Sequence, residues 1–128
     1  MKIETNFLSP LILKGIIISE GTFKRSEEDI QDIELKVMVN HDIEQISENE
    51  YKITLDLTVS DTDKQLSVFV KGIGIFETEQ ENQTLIERNT IAIMFPYLRS
   101  YVSTLTTQPG MAPIVLPPMN VVAMLNQK

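Results

Sequence analysis

The chain has 128 residues, 42% hydrophobic and 6% aromatic, with no cysteine, one histidine and a net charge of −7. That composition fits one globular domain over 1–128 with a full-sized core, and it excludes disulfides, thiolate chemistry and cysteine-ligated zinc. All 18 acidic residues lie at or before Glu87, so residues 1–87 carry −10 (8 basic, 18 acidic) and residues 88–128 carry +3, a balance that repels phosphate and predicts no nucleic-acid partner.

The N-terminal stretch "MKIETNFLSPLILKGIIISEG" has an apolar run broken by Lys14 and flanked by Glu4 and Glu20. A secretory signal has a basic lead and a small-residue cleavage site instead. No stretch reaches the ~20 apolar residues that cross a bilayer. The expectation is a cytoplasmic protein with no membrane insertion.

Four segments read as strands: 11–23, 33–46, 50–61 and 64–77. The third alternates most cleanly, with Tyr51, Ile53, Leu55, Leu57 and Val59 on one face and Lys52, Thr54, Asp56, Thr58 and Ser60 on the other. The first and fourth are apolar on both faces: Leu11, Leu13 and Ile17 opposite Ile12, Ile16 and Ile18, and Leu66, Val68 and Val70 opposite Phe69, Ile73 and Ile75. Such strands are covered on both sides, or are covered by something not yet present. Short polar connections, "SENE" and "SDTD", predict hairpins and an antiparallel sheet of meander or Greek-key-like type.

Past residue 84 the period changes. Ile91, Phe95, Leu98, Val102 and Leu105 recur at helical spacing, and Met94, Tyr97 and Tyr101 form a second stripe beside them. Pro96 removes a backbone donor inside this helix and predicts a kink, and Pro109-Gly110 predicts its end. A short second helix is expected from Asn120, as N-cap, to Asn126. The fold class is α+β: four antiparallel strands, a long helix, a proline-rich connection and a short helix.

Catalytic constellations are sparse. His41 stands in "VNHDIE" beside Asp42 and Glu44, too few ligands for a metal and without a nucleophile for a triad. "GIGIF" lacks the third glycine and following helix of a phosphate loop, and its glycines fit a bulge or close packing better. Asp56, Asp61 and Asp63 lie on a polar face and a turn. Neither enzymatic activity nor a metal or cofactor is expected.

The connection "QPGMAPIVLPPM" (108–119) is the informative segment. Its prolines hold it extended at low entropic cost and limit its backbone pairing. Met111, Ile114, Val115, Leu116 and Met119 then either complete the core, above all through Ile114 and Leu116, or wall a groove. Two apolar helix stripes and two doubly apolar strands exceed what one sheet and one helix can hide. The surplus goes to subunit contacts, client contacts or both. Met94, Met111, Met119 and Met124 concentrate here, and flexible thioethers suit surfaces that accept unlike apolar partners.

"GIF" at Gly74-Ile75-Phe76, "FPYLR" at 95–99 and "IVLPPMN" at 114–120, in this order and spacing, resemble the end of strand four, the helix signature and the crossover loop of the SecB family of protein-export chaperones. That resemblance implies a four-stranded antiparallel sheet with helices on one side, assembled as a dimer of dimers. Met94, Tyr97 and Tyr101 would meet a neighbouring subunit. It implies apolar grooves for unfolded, translocation-competent preproteins or other non-native polypeptides. Met111, Ile114, Val115 and Leu116 of the loop would line them, with Val121, Met124 and Leu125 of the last helix and Val37 and Val39 of strand two. Of the acidic positions through which the family docks on SecA, Glu20 is matched. Lys24 and Phe69 stand where acids are expected, and Val122 replaces an acid after the helix-opening asparagine. SecB-like chaperones also serve antitoxins, so a dedicated partner of one protein is an alternative reading. A small apolar-ligand-binding protein is another.

Overall fold

The computed structural model describes residues 10–126. Four strands, β1 (Ile12–Arg25), β2 (Lys36–Gln45), β3 (Glu50–Ser60) and β4 (Leu66–Glu77), precede the helices α1 (Gln83–Leu105) and α2 (Val121–Leu125). All pairings are antiparallel, in the order β1-β4-β3-β2. Strands β2, β3 and β4 form the expected meander through two hairpins. β1 lies beside β4 at the far edge, so the connection 26–35 crosses the sheet and the topology is of Greek-key type.

The β3–β4 turn shows why the hairpin closes where it does. The Asp61 side chain accepts from Leu66 N at 2.9 Å, and Lys64, with φ of 58°, supplies the left-handed residue that reverses the chain. Alternation in β3 and β4 then sorts the side chains. Ile53, Leu55, Leu57, Val59, Leu66, Val68, Val70 and Phe76 are buried on the helix-covered face. Their neighbours Thr54, Asp56, Thr58, Phe69, Ile73 and Ile75 occupy the open face, half-buried. Among the described residues, the helices therefore cover one face of β4 and leave the other open.

β1 departs from simple alternation. Register shifts between Leu13 and Gly15 and between Ile18 and Glu20 mark two bulges, each of which exchanges the faces. Leu13, Ile16, Ile18 and Phe23 consequently pack toward the core, while Ile12 and Ile17 are exposed on the open face. The expected grouping of Ile17 with Leu13 is thus corrected: the inserted residue between them turns Ile17 outward.

Helix α1 is capped by Asn82, whose side chain accepts from Leu85 N. It runs unbroken through Pro96, which is exposed together with Ala92, the residue whose carbonyl loses its partner. Its buried row, Ile86, Ile91, Met94, Phe95, Leu98 and Val102, rests on β3 and β4. The approach is close because Gly72 and Gly74 leave room: an added Cβ would lie 2.8 Å from Leu98 Cδ1 and 2.9 Å from Met94 Sδ. The helix ends at Leu105, before Pro109-Gly110 as expected.

Candidate functional site

Helix α1 covers β1, β4 and β3. Edge strand β2 is left to the connection 107–120 and to α2, and what forms between them is the candidate site.

The connection is clasped at Ile114. Ile114 N donates to Thr106 Oγ1 at 2.8 Å, and Ser103 Oγ donates to Ile114 O at 2.9 Å. Both backbone groups of Ile114 are thereby satisfied by hydroxyls on the last turn of α1 and its cap. Two residues on, Leu116 drops into the core at 5% exposure, whereas Val115 between them points out at 78%. Upstream, Arg25 reaches from the end of β1 to Gly110 O at 3.3 Å, and Gly110 takes the positive φ of 82° that only glycine adopts readily. A clasp, a buried plug and a tether thus hold an extended apolar segment opposite β2.

Two apolar openings remain along this seam. One, of about 370 Å³, lies between Met111 and Ile114 of the connection and Ile30, Ile33 and Leu35 ahead of β2. The other, of about 240 Å³, lies between Val37 and Val39 of β2 and Met119, Ala123 and Met124 on and before α2. Helix α2 is held there by its Asn120 cap, which accepts from Ala123 N at 3.1 Å. Val121, Met124 and Leu125 pack partly against the core.

The residues expected to meet clients therefore divide. Val37, Val39, Met111, Ile114 and Met124 line the two openings. Val115 stands exposed on the connection, and Val121 and Leu125 lie at its α2 end, partly buried. Leu116 is corrected to a core residue, since its side chain is enclosed with Tyr51, Phe95 and Val102 in the central cluster. The sequence reading missed Ile30, Ile33, Leu35 and Ala123. The apolar alternation at Ile33, Leu35, Val37 and Val39 was the signal that could have extended the groove upstream.

The second helix stripe divides too. Tyr97 is 48% exposed and Tyr101 is half-buried, both beside Ile16, Ile17 and Ile18 of β1. Met94 is corrected: at 0% exposure it lies beneath the helix against Gly74 and Phe76, closed to any neighbour. On the opposite side of the sheet, exposed Glu20 is in register with Lys71, and Phe69 with Thr22. An apolar ring thus neighbours the matched acid. His41 shares the helix side of β2 with Val39, and among the described residues no group of three or more His, Asp or Glu is placed to hold a metal.

Comparison with known proteins agrees with this fold. The family model of the preprotein translocase subunit SecB matches residues 18–128. The chain is 30% identical over 127 residues to an uncharacterised protein of Methanocaldococcus jannaschii, covering 90% of this chain and 82% of that one. It is also 30% identical over 102 residues to the protein-export protein SecB of Nitrosospira multiformis, covering 74% of this chain and 64% of that one. Among solved structures, a SecB-like chaperone of Mycobacterium tuberculosis, in complex with a ChAD peptide from an antitoxin, superposes with a TM-score of 0.68. That match has 10% identity and covers 86% of this chain and 88% of the other, a likeness of fold. With the matched span, the sheet order and the pinned connection together, the chain belongs to the SecB family.

Proposed function

We propose that this protein is an ATP-independent holdase that binds unfolded or translocation-competent polypeptides along the seam between β2 and the connection 107–120. The observation that carries the reading is the clasp at Ile114, which holds apolar side chains beside β2 while leaving two openings unfilled. Capture of this kind needs no bond-making by the protein. It acts by mass action on the unfolded state, and alternating openings suit an extended chain better than a compact ligand.

Assembly as a dimer of dimers, through Tyr97 and Tyr101, belongs to the same reading, as do a cytoplasmic location and delivery of preproteins for export. Docking on SecA through Glu20 is the weakest of these, because Phe69 and Lys24 depart from an acidic patch. A second reading, dedicated service to one protein such as an antitoxin, is favoured by that departure and by the antitoxin peptide on the structurally similar chaperone.

The test is suppression of aggregation of a chemically unfolded reporter enzyme by the purified chain at stoichiometric ratio. Protection is expected, without nucleotide. A folded chain that gives none sinks the proposal, and capture of one dominant partner in place of many selects the second reading.

A further inference from the structure

Past Ile114 the chain is fastened by side chains alone. Among the described residues, no hydrogen bond joins residues 115–126 to another element. The bonds of α2 are internal: Asn120 Oδ1 accepts from Ala123 N, Met124 N donates to Asn120 O, and Asn126 N donates to Val122 O. A helix of five residues does not persist in water by itself, so α2 depends on packing. None of its residues is fully buried. It lies against α1 and faces β2, attached by Met119, Val121, Met124 and Leu125, all partly buried against the core. Two of these four side chains are thioethers, and both border the opening in front of Val37 and Val39.

The chain has no cysteine, so all its oxidisable sulfur is methionine. The methionines differ in reach. Met94 is closed beneath α1 at 0% exposure, and Met38 is 59% exposed on the open face. Met119 and Met124 lie between these extremes, half-buried at the opening. We propose that Met119 and Met124 are an oxidation-sensitive fastening, whose conversion to sulfoxides by a peroxide frees α2 from α1 and β2. The sulfur lone pair attacks one peroxide oxygen, and an S–O bond forms as the O–O bond breaks. The departing hydroxide takes the proton of the transferred oxygen and leaves as water. Sulfur is oxidised by two electrons and the peroxide is reduced by two. A flexible apolar side chain thereby becomes a dipolar acceptor. The neighbouring side chains of Val37, Val39 and Ala123 carry no donor, so the new oxygen gains its hydrogen bonds by turning to water. Val121 and Leu125 alone are then left to hold α2. Upstream, the plug of Leu116 and the hydroxyl bonds at Ile114 involve no sulfur, so the release stops short of them. The release of α2 does not depend on the holdase reading. Where that reading holds, oxidation also removes one wall of a guest opening.

The test treats the full chain with graded hydrogen peroxide, follows each methionine by peptide mass spectrometry, and reads amide hydrogen exchange over residues 120–126. Met119 and Met124 are expected to oxidise well before Met94. With both converted, exchange in α2 should accelerate about tenfold, while the strands and α1 keep their original rates. The double variant Met119→Leu with Met124→Leu retains Met38 and Met111. Under the same dose its α2 exchange should change by less than about twofold. Methionine sulfoxide reductases acting on both sulfoxide epimers should return the oxidised wild-type chain to its starting rate. Unchanged α2 exchange with both sulfoxides present overturns the inference. So does equal acceleration in the leucine variant, which assigns the effect to Met38 or Met111. Oxidation of Met94 in step with Met119 and Met124 overturns it as well, because the whole chain is then opening. Resistance of Met119 and Met124 to a dose that fully oxidises Met38 does the same.

Discussion

Val115 and Leu116 are neighbours with opposite fates, and the difference is made by hydroxyls on another element. Ser103 and Thr106 fix both backbone groups of Ile114, which leaves the next residue turned to water and the one after it turned inward. Leu116→Asp buries an unpaired carboxylate and is expected to lower stability by more than about 3 kcal/mol, read as loss of the cooperative thermal transition. Val115→Asp should leave that transition within a few degrees of wild type and weaken capture of an unfolded client. Equal melting of the two variants would show that the connection is not held in the described orientation. From sequence these two positions are indistinguishable, both being apolar, β-compatible and bracketed by prolines. Met94 was misread for a related reason: it borders both stripes of α1, and only the space over Gly74 decides which way it turns.

Among elements, β3 was fully legible, because its polar and apolar residues alternate and so declare a phase. β1 was not. With isoleucines on both faces it carries no contrast by which a slip of one residue could be noticed, and its two bulges are invisible. Strand order was hidden as well, since the connection 26–35 says little about which edge it reaches. One lateral bond does report that order. Lys14 on β1 bonds Glu50 at the start of β3 at 2.9 Å, with Glu77 of the intervening β4 at 3.9 Å. The hydrogen bond from Lys14, and then its charge, hold the Glu50 carboxyl below its ordinary value, while the bond to Glu50 raises Lys14. A depressed carboxyl contributes stability above its ordinary range and loses it as pH falls through the folded value. A raised lysine contributes below its ordinary range and loses it as pH rises through the folded value. The contact is therefore complete around neutrality. Lys14→Met should return the Glu50 midpoint upward toward the ordinary carboxylate range in a carboxyl-detected NMR titration. An unmoved midpoint would contradict the β1-β4-β3 neighbourhood.

At the scale of the whole molecule, the surplus of apolar surface inferred from sequence survives folding in a specific distribution. Tyr97 on α1 stands half-exposed beside Ile16 and Ile18 of β1, on the side away from the β2 seam. On the proposed reading, this apolar region serves self-assembly while the seam stays open to guests. A tetramer is the expected native mass, and Tyr97→Glu should reduce it in sedimentation velocity without abolishing the fold, because a half-exposed ring is replaced by a charge that only a subunit contact would exclude. A wild-type monomer, or a variant of unchanged mass, would remove Tyr97 from the interface.

The clasp at Ile114 has a mechanical corollary. A segment fastened by the Arg25 tether at Gly110, the hydroxyls at Ile114 and the plug of Leu116 keeps one course past β2, and its apolar side chains keep their spacing. On the proposed reading, a guest meets ready-made stations at Met111 and at Met119, and little ordering of the connection has to be offset on binding.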